Sequence, residues 1–169
     1  MNENLLPIII SSAAFVIAMI TFFMVRNRKE TPPPSDTFSS KPLQLQAYER
    51  ITVLAERIAI PSLVSRASQQ SNLSAREMQL LLLESVKQEY EYNASQQIYV
   101  TPVALEAVKN LKDQNMLIIN QVGVTLPAEA GGIDLNKRLL EFMMASKKGA
   151  LHEVVMEALN YEAKKVLKS

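Results

Sequence analysis

The stretch Ser74–Gln97, SAREMQLLLLESVKQEYEYNASQQ, decides the fold class. It opens with the pattern of a capping box, in which the serine hydroxyl accepts a hydrogen bond from the N–H of Glu77 and the glutamate carboxylate accepts one from the serine N–H. Apolar side chains then recur at helical spacing, at Leu83, Val86 and Tyr90. The stretch therefore predicts one long amphipathic helix.

The segments on both sides of this helix show the same period, and no strand-like alternation of useful length interrupts them. Pro61 must break the preceding helix, and a Thr-Pro pair at residues 101–102 supplies an N-cap and a first helical residue for the next one. The predicted helices are residues 43–60, 62–68, 74–97, 101–123 and 134–166, the last being separated or kinked at Gly149. The fold class is predicted to be all-α, with an antiparallel bundle of four to five helices.

The N-terminal run Leu5–Val25, LLPIIISSAAFVIAMITFFMV, carries no charged residue. A helix of this length rises about 31 Å, close to the ~30 Å hydrocarbon core of a bilayer, so the run predicts a transmembrane helix. A core helix is the first alternative, although the run is apolar on every face. A cleaved signal peptide is the second, but it needs a basic start, whereas only Glu3 and the amino terminus precede this run.

Basic residues follow the apolar run directly, at Arg26, Arg28 and Lys29. Positive charge stays on the cytoplasmic side of a membrane. These residues are therefore the expected topology determinants, and the predicted location is the plasma (inner) membrane with the N-terminus outside and residues 26–169 in the cytoplasm.

Composition then divides the chain into three predicted domains. Residues 1–29 are the anchor with its basic flank, residues 30–42 (ETPPPSDTFSSKP) form a Pro/Ser-rich linker, and residues 43–169 form the bundle. The bundle carries 14 basic and 14 acidic residues. A neutral domain gives no electrostatic case for binding nucleic acid.

The residue types needed for several kinds of chemistry are missing. The chain has no Cys and one His, so cysteine metal sites, disulfides and multi-histidine sites are excluded. His152 is expected to face solvent on its helix. We predict no catalytic residue, no metal site and no cofactor.

One polar cluster stands out near the end of the long helix. On a helix, residues three, four, seven and eight positions apart share a face, so Glu89, Asn93 and Gln96 or Gln97 would lie together. Asn115 falls on the apolar side of the next helix. Such groups form either a hydrogen-bond network that fixes helix register or a polar binding spot between two helices. The candidate residues are Glu89, Tyr92, Asn93, Gln96, Gln97 and Asn115.

Two motifs, Leu43–Arg50 (LQLQAYER) and Gln88–Val100 (QEYEYNASQQIYV), together with the apolar run, resemble an uncharacterised family of small single-pass bacterial membrane proteins. The resemblance implies an anchor, a linker and a helical domain, and no activity. The sequence as a whole predicts a membrane-tethered, non-enzymatic interaction or scaffold domain that binds a protein partner or itself. The alternative is a small-molecule-binding or enzymatic domain that uses the Glu89–Gln97 region.

Overall fold

Six α-helices and one short 3₁₀ helix account for most of the described residues, which in this computed structural model are 40–70, 72–145 and 149–168 together with 19 and 21. The prediction of an all-helical fold is confirmed for this part of the chain. The helices are α1 (Lys41–Ile58), α2 (Ile60–Ala67), α3 (Ala75–Tyr92), the 3₁₀ helix (Ala94–Ile98), α4 (Pro102–Gly123), α5 (Gly132–Ala145) and α6 (Gly149–Lys168).

Helix α1 ends two residues earlier than predicted, at Ile58. Pro61 has no N–H, and its ring would clash with the carbonyl of Arg57 if the helix continued, so the backbone turns away at Ala59, where ψ is 134°. This turn leaves carbonyls at the end of α1 without helical partners. Arg66 donates a hydrogen bond of 2.8 Å to one of them, the carbonyl of Arg57.

Helix α3 begins as predicted and ends earlier than predicted. The capping box is present: the Glu77 N–H donates to Ser74 Oγ over 3.3 Å, and the Ser74 N–H donates to Glu77 Oε2 over 2.9 Å. At the other end, Asn93 Nδ2 donates to the Glu89 carbonyl over 2.9 Å. That carbonyl is the acceptor that the Asn93 N–H would need in a continuing α-helix, so the chain passes into the 3₁₀ helix instead.

One continuous core joins the helices. α1 packs most extensively against α6, while α3 packs against α4 and α5, and α4 also contacts α6. Every one of these helices contributes side chains with almost no exposed area. Examples are Ile51, Ile58, Leu82, Leu111, Ile118, Leu135 and Leu159.

The loop before α3 is fastened to the start of α5. The Gly132 N–H donates to the Leu73 carbonyl over 2.7 Å, and the Ala75 N–H donates to the Ala130 carbonyl over 2.8 Å. A Cβ at position 132 would lie 3.0 Å from both the Leu73 oxygen and Met78 Cε. The close approach of these two segments therefore favours glycine at that position.

The prediction of an N-terminal transmembrane helix is contradicted. Within the described ranges, none of the helices combines the length and apolarity needed to cross a bilayer. The prediction of a plasma-membrane location with an outside N-terminus is contradicted by the same finding. The physical reason is that apolarity on every face marks a helix buried in protein as well as one buried in lipid, so Leu5–Val25 did not distinguish the two.

Most of that run lies outside the described residues, as do Arg26, Arg28 and Lys29. The chain divides into two units, Met1–Ser39 and Ser40–Ser169, and the helices above belong to the second. The three-part division at residues 29 and 42 stays a prediction.

Candidate functional site

A groove of about 290 Å³ lies between α1 and the last turns of α3. Two apolar side chains are exposed in it, Val53 at 50% and Tyr92 at 78%. The groove therefore combines apolar surface with charges of both signs. Its walls are formed by Gln46, Glu49, Arg50, Val53 and Arg57 from α1 and by Glu89, Tyr92 and the following residue Asn93 at the end of α3.

An ion pair joins the two walls of the groove. Arg57 Nη2 lies 2.6 Å from Glu89 Oε1, and Arg57 Nε donates to the same oxygen over 2.7 Å. Arg66 Nη2 lies 4.0 Å from that oxygen. Among the described residues, no ion pair or hydrogen bond engages the side chains of Glu49 and Arg50, which both line the groove.

The structure brings together three of the six predicted cluster residues: Glu89, Tyr92 and Asn93 line the groove. The early end of α3 places Gln96 and Gln97 in the 3₁₀ helix instead of on α3. Gln96 Nε2 donates to Ser95 Oγ over 3.2 Å within the 3₁₀ helix. Gln97 lines a different void of about 40 Å³, and Asn93 lines both this void and the groove. The cluster that a longer helix would have formed is therefore divided.

Asn115, the sixth predicted residue, lies elsewhere and is 3% exposed. Its Nδ2 donates to the carbonyl of Ile58 over 2.8 Å. This carbonyl is one of those left without a helical partner where α1 ends. The amide thus satisfies a buried acceptor and fixes α4 against the α1–α2 break, which is the register role considered for the cluster.

A second polar network joins α1, the start of α4 and α6. It was not predicted from the sequence. The Tyr48 hydroxyl donates to Thr101 Oγ1 over 3.2 Å, and the Thr101 hydroxyl donates to Glu162 Oε2 over 3.1 Å. Thr101 Oγ1 also accepts the Ala104 N–H over 3.3 Å, as its predicted N-cap role requires. One feature of the sequence could have indicated this network: Glu162 is a carboxylate at an otherwise apolar position of its helix.

A lysine one turn further along α6 completes this network. Lys165 Nζ donates to Glu162 Oε1 over 2.7 Å. This hydrogen bond lowers the pKa of the Glu162 carboxyl below its ordinary value of 4.5, with a smaller contribution in the same direction from the Thr101 hydroxyl, while burial opposes the shift. The same bond raises the pKa of Lys165 above 10.5. The network therefore holds a charged carboxylate at the positive end of α4.

His152 was expected to face solvent, but it does not. It is half-buried on α6, where its Nε2 lies 3.5 Å from Oε2 of Glu56. It lines a pocket of about 180 Å³ beside the α1–α2 break, together with Asn115 and Leu111 of α4. Position 152 lies three residues before Val155 and seven before Leu159, which are both buried, so the helical period of α6 could have placed His152 on the packed face.

Metal coordination has no evident place in the part of the chain that the structure describes. No three His, Asp or Glu side chains there are grouped so that they could hold an ion.

Comparison with known proteins places the chain in a family without assigning a function. No curated protein matches the sequence, and no solved structure matches the fold. A family of unknown function, DUF7935, matches residues 2–166. Because this match covers nearly all of the sequence, the chain belongs to the uncharacterised family DUF7935.

Proposed function

We propose that the helical domain is a non-enzymatic binding module that holds an amphipathic helix of a partner protein in the groove between α1 and α3. The observation that carries the proposal is the exposure of Val53 and Tyr92 in one groove between charged side chains. Protein interfaces concentrate their binding energy in a few aromatic and arginine side chains inside a polar rim. The groove has this composition.

The dimensions of the α1 wall suit a helical partner. Gln46 and Arg57 are the outermost α1 residues of the groove, and the helix between them rises about 17 Å, which equals roughly three turns of a partner helix. Apolar residues on one face of that helix would cover Val53 and Tyr92, as in other helix-in-groove complexes.

The charges indicate how the partner is selected. Arg50 favours a carboxylate on the partner helix, and Glu49 favours a lysine or an arginine. Because residues 43–169 are neutral, the local pattern of charges, rather than net charge, determines the fit. The Glu89 carboxylate is already engaged by Arg57 and supports the contact between the two walls.

Affinity capture from cells with matched variants tests the proposal. The full-length chain, Tyr92→Ser and Tyr161→Ser would be compared, since Tyr161 is also exposed, at 63%, but lies outside the groove on α6. We expect one partner that the wild type and Tyr161→Ser retain, with affinity about 30-fold weaker for Tyr92→Ser, the loss typical of an aromatic hot spot.

Charge reversal gives an independent readout. Arg50→Glu should weaken the same partner, and changing the facing carboxylate of that partner to lysine should restore binding. Equal capture of every protein by the wild type, Tyr92→Ser and Arg50→Glu would show that the groove is not the binding surface.

A further inference from the structure

The pocket beside the α1–α2 break has an apolar floor and a polar edge. Six of the side chains that line it are apolar, and they come from four helices and the turn between α1 and α2. Its volume of about 180 Å³ exceeds the ~150 Å³ that is enough for a cavity to take up benzene. The apolar lining residues are Ala59, Ile60, Pro61, Leu111, Met143 and Leu151.

The polar edge contains a ring nitrogen with an unmet hydrogen-bonding capacity. His152 Nε2 is shielded from solvent and has no hydrogen-bond partner among the described residues. The nearest carboxylate oxygen, Glu56 Oε2, is 3.5 Å away and is not hydrogen-bonded to it. A buried polar atom without a partner is costly, so a ligand that supplies one gains binding energy at this point.

We propose that this pocket binds a small aromatic molecule that carries one hydroxyl group. The Glu56 side chain is 53% exposed and its carboxylate lies next to the shielded ring nitrogen, so an outward rotation of Glu56 would open Nε2 to the ligand. A hydroxyl both donates and accepts, so it could then accept the N–H of His152 and donate to the Glu56 carboxylate. A single ring fits the volume, and its carbon atoms would pack against the apolar floor formed by Ile60 and Leu111. This site is separate from the groove between α1 and α3 and does not depend on the function proposed for it.

Titration of the full-length chain with phenol tests the site directly. His152 is the only histidine in the sequence, so its imidazole resonances in an NMR spectrum need no assignment. We expect saturable shifts of these resonances with phenol, and binding about tenfold weaker for toluene, which has the same ring without the hydroxyl. Toluene binding as tightly as phenol, or no saturable shift with phenol, would overturn the proposal.

A pair of matched variants tests the carboxylate. Glu56→Gln should weaken phenol binding about tenfold, because the hydroxyl would lose a charged acceptor. Glu49→Gln makes the same change on the same helix outside the pocket and should leave phenol affinity unchanged. Equal affinities for the two variants would refute the role of Glu56, and the wild-type comparison of phenol with toluene decides the matter if either variant fails to fold.

Discussion

Replacing Asn115 with aspartate should destabilise the domain strongly and in a pH-dependent way. The substitution keeps the size of the side chain but replaces the Nδ2 donor, 2.8 Å from the Ile58 carbonyl, with an oxygen. At neutral pH two effects add: a buried acceptor loses its hydrogen bond, and a charge enters a site that is 3% exposed. Breaking a buried polar contact in this way costs about 3–5 kcal/mol, a large fraction of the total stability of a typical domain.

The sign of the pH dependence follows from the same contact. Burial raises the pKa of the introduced carboxyl above its unfolded value of about 3.9, because the charged form is disfavoured and the protonated form can donate to the Ile58 carbonyl. The protonated form therefore contributes its stability below pH ~3.9 and loses it as the pH rises through the folded pKa. The defect of Asn115→Asp should accordingly shrink on acidification.

Urea unfolding at pH 7 and pH 4, followed by circular dichroism, measures both effects. With a slope of about 2 kcal/mol/M, a loss of about 3 kcal/mol lowers the midpoint by roughly 1.5 M. The control is Asn110→Asp, the same change at an exposed position of α4, which should alter stability by less than about 0.5 kcal/mol. Equal midpoints for the two variants at pH 7 would refute the role assigned to the Asn115 amide.

Further substitutions test the other contacts. Glu162→Gln should cost about 1 kcal/mol at pH 7, because its charged hydrogen bond with Lys165 is lost. Since the pKa of Glu162 is lowered, this stabilisation is present above pH 4.5 and disappears as the pH falls through the folded pKa, so thermal melts of wild type and variant should converge once the pH is below the folded pKa. Gly132→Ala should cost about 1–2 kcal/mol in urea unfolding, since its Cβ would meet the Leu73 oxygen at 3.0 Å. Gly131→Ala, whose Cβ would lie 3.6 Å from its nearest neighbour, should be nearly neutral, and equal effects of the two glycine variants would contradict the packing described.

Local signals in the sequence predicted much of the helical framework. The capping box at Ser74, the Thr-Pro start at Thr101 and the break near Pro61 each depend on neighbouring residues, and each is present. The early end of α3 was not predicted, because it depends on the hydrogen bond from the Asn93 side chain to the Glu89 carbonyl. The spacing of apolar residues carries no information about such a bond.

The candidate site was predictable only in part, because it combines distant segments. Glu89 and Tyr92 were selected from their own helix, whereas Arg57, the partner of Glu89, lies 32 residues away along the chain. Glu162 and His152 contact α1 or α4 only after α6 has packed. The transmembrane prediction failed for a different reason: it used the composition of one run, and composition does not distinguish lipid from protein as the surroundings of an apolar helix.

Site-specific photocrosslinking in cells shows directly whether the groove between α1 and α3 is the binding surface. A benzophenone amino acid would replace Tyr92 in one sample and Tyr161, the exposed control on α6, in the other. We expect one discrete crosslinked partner protein at position 92, lost when Arg50→Glu is added, and no such product at position 161. The same products at both positions, or none at position 92, would contradict it, and a crosslink to a second copy of the chain would identify self-association instead.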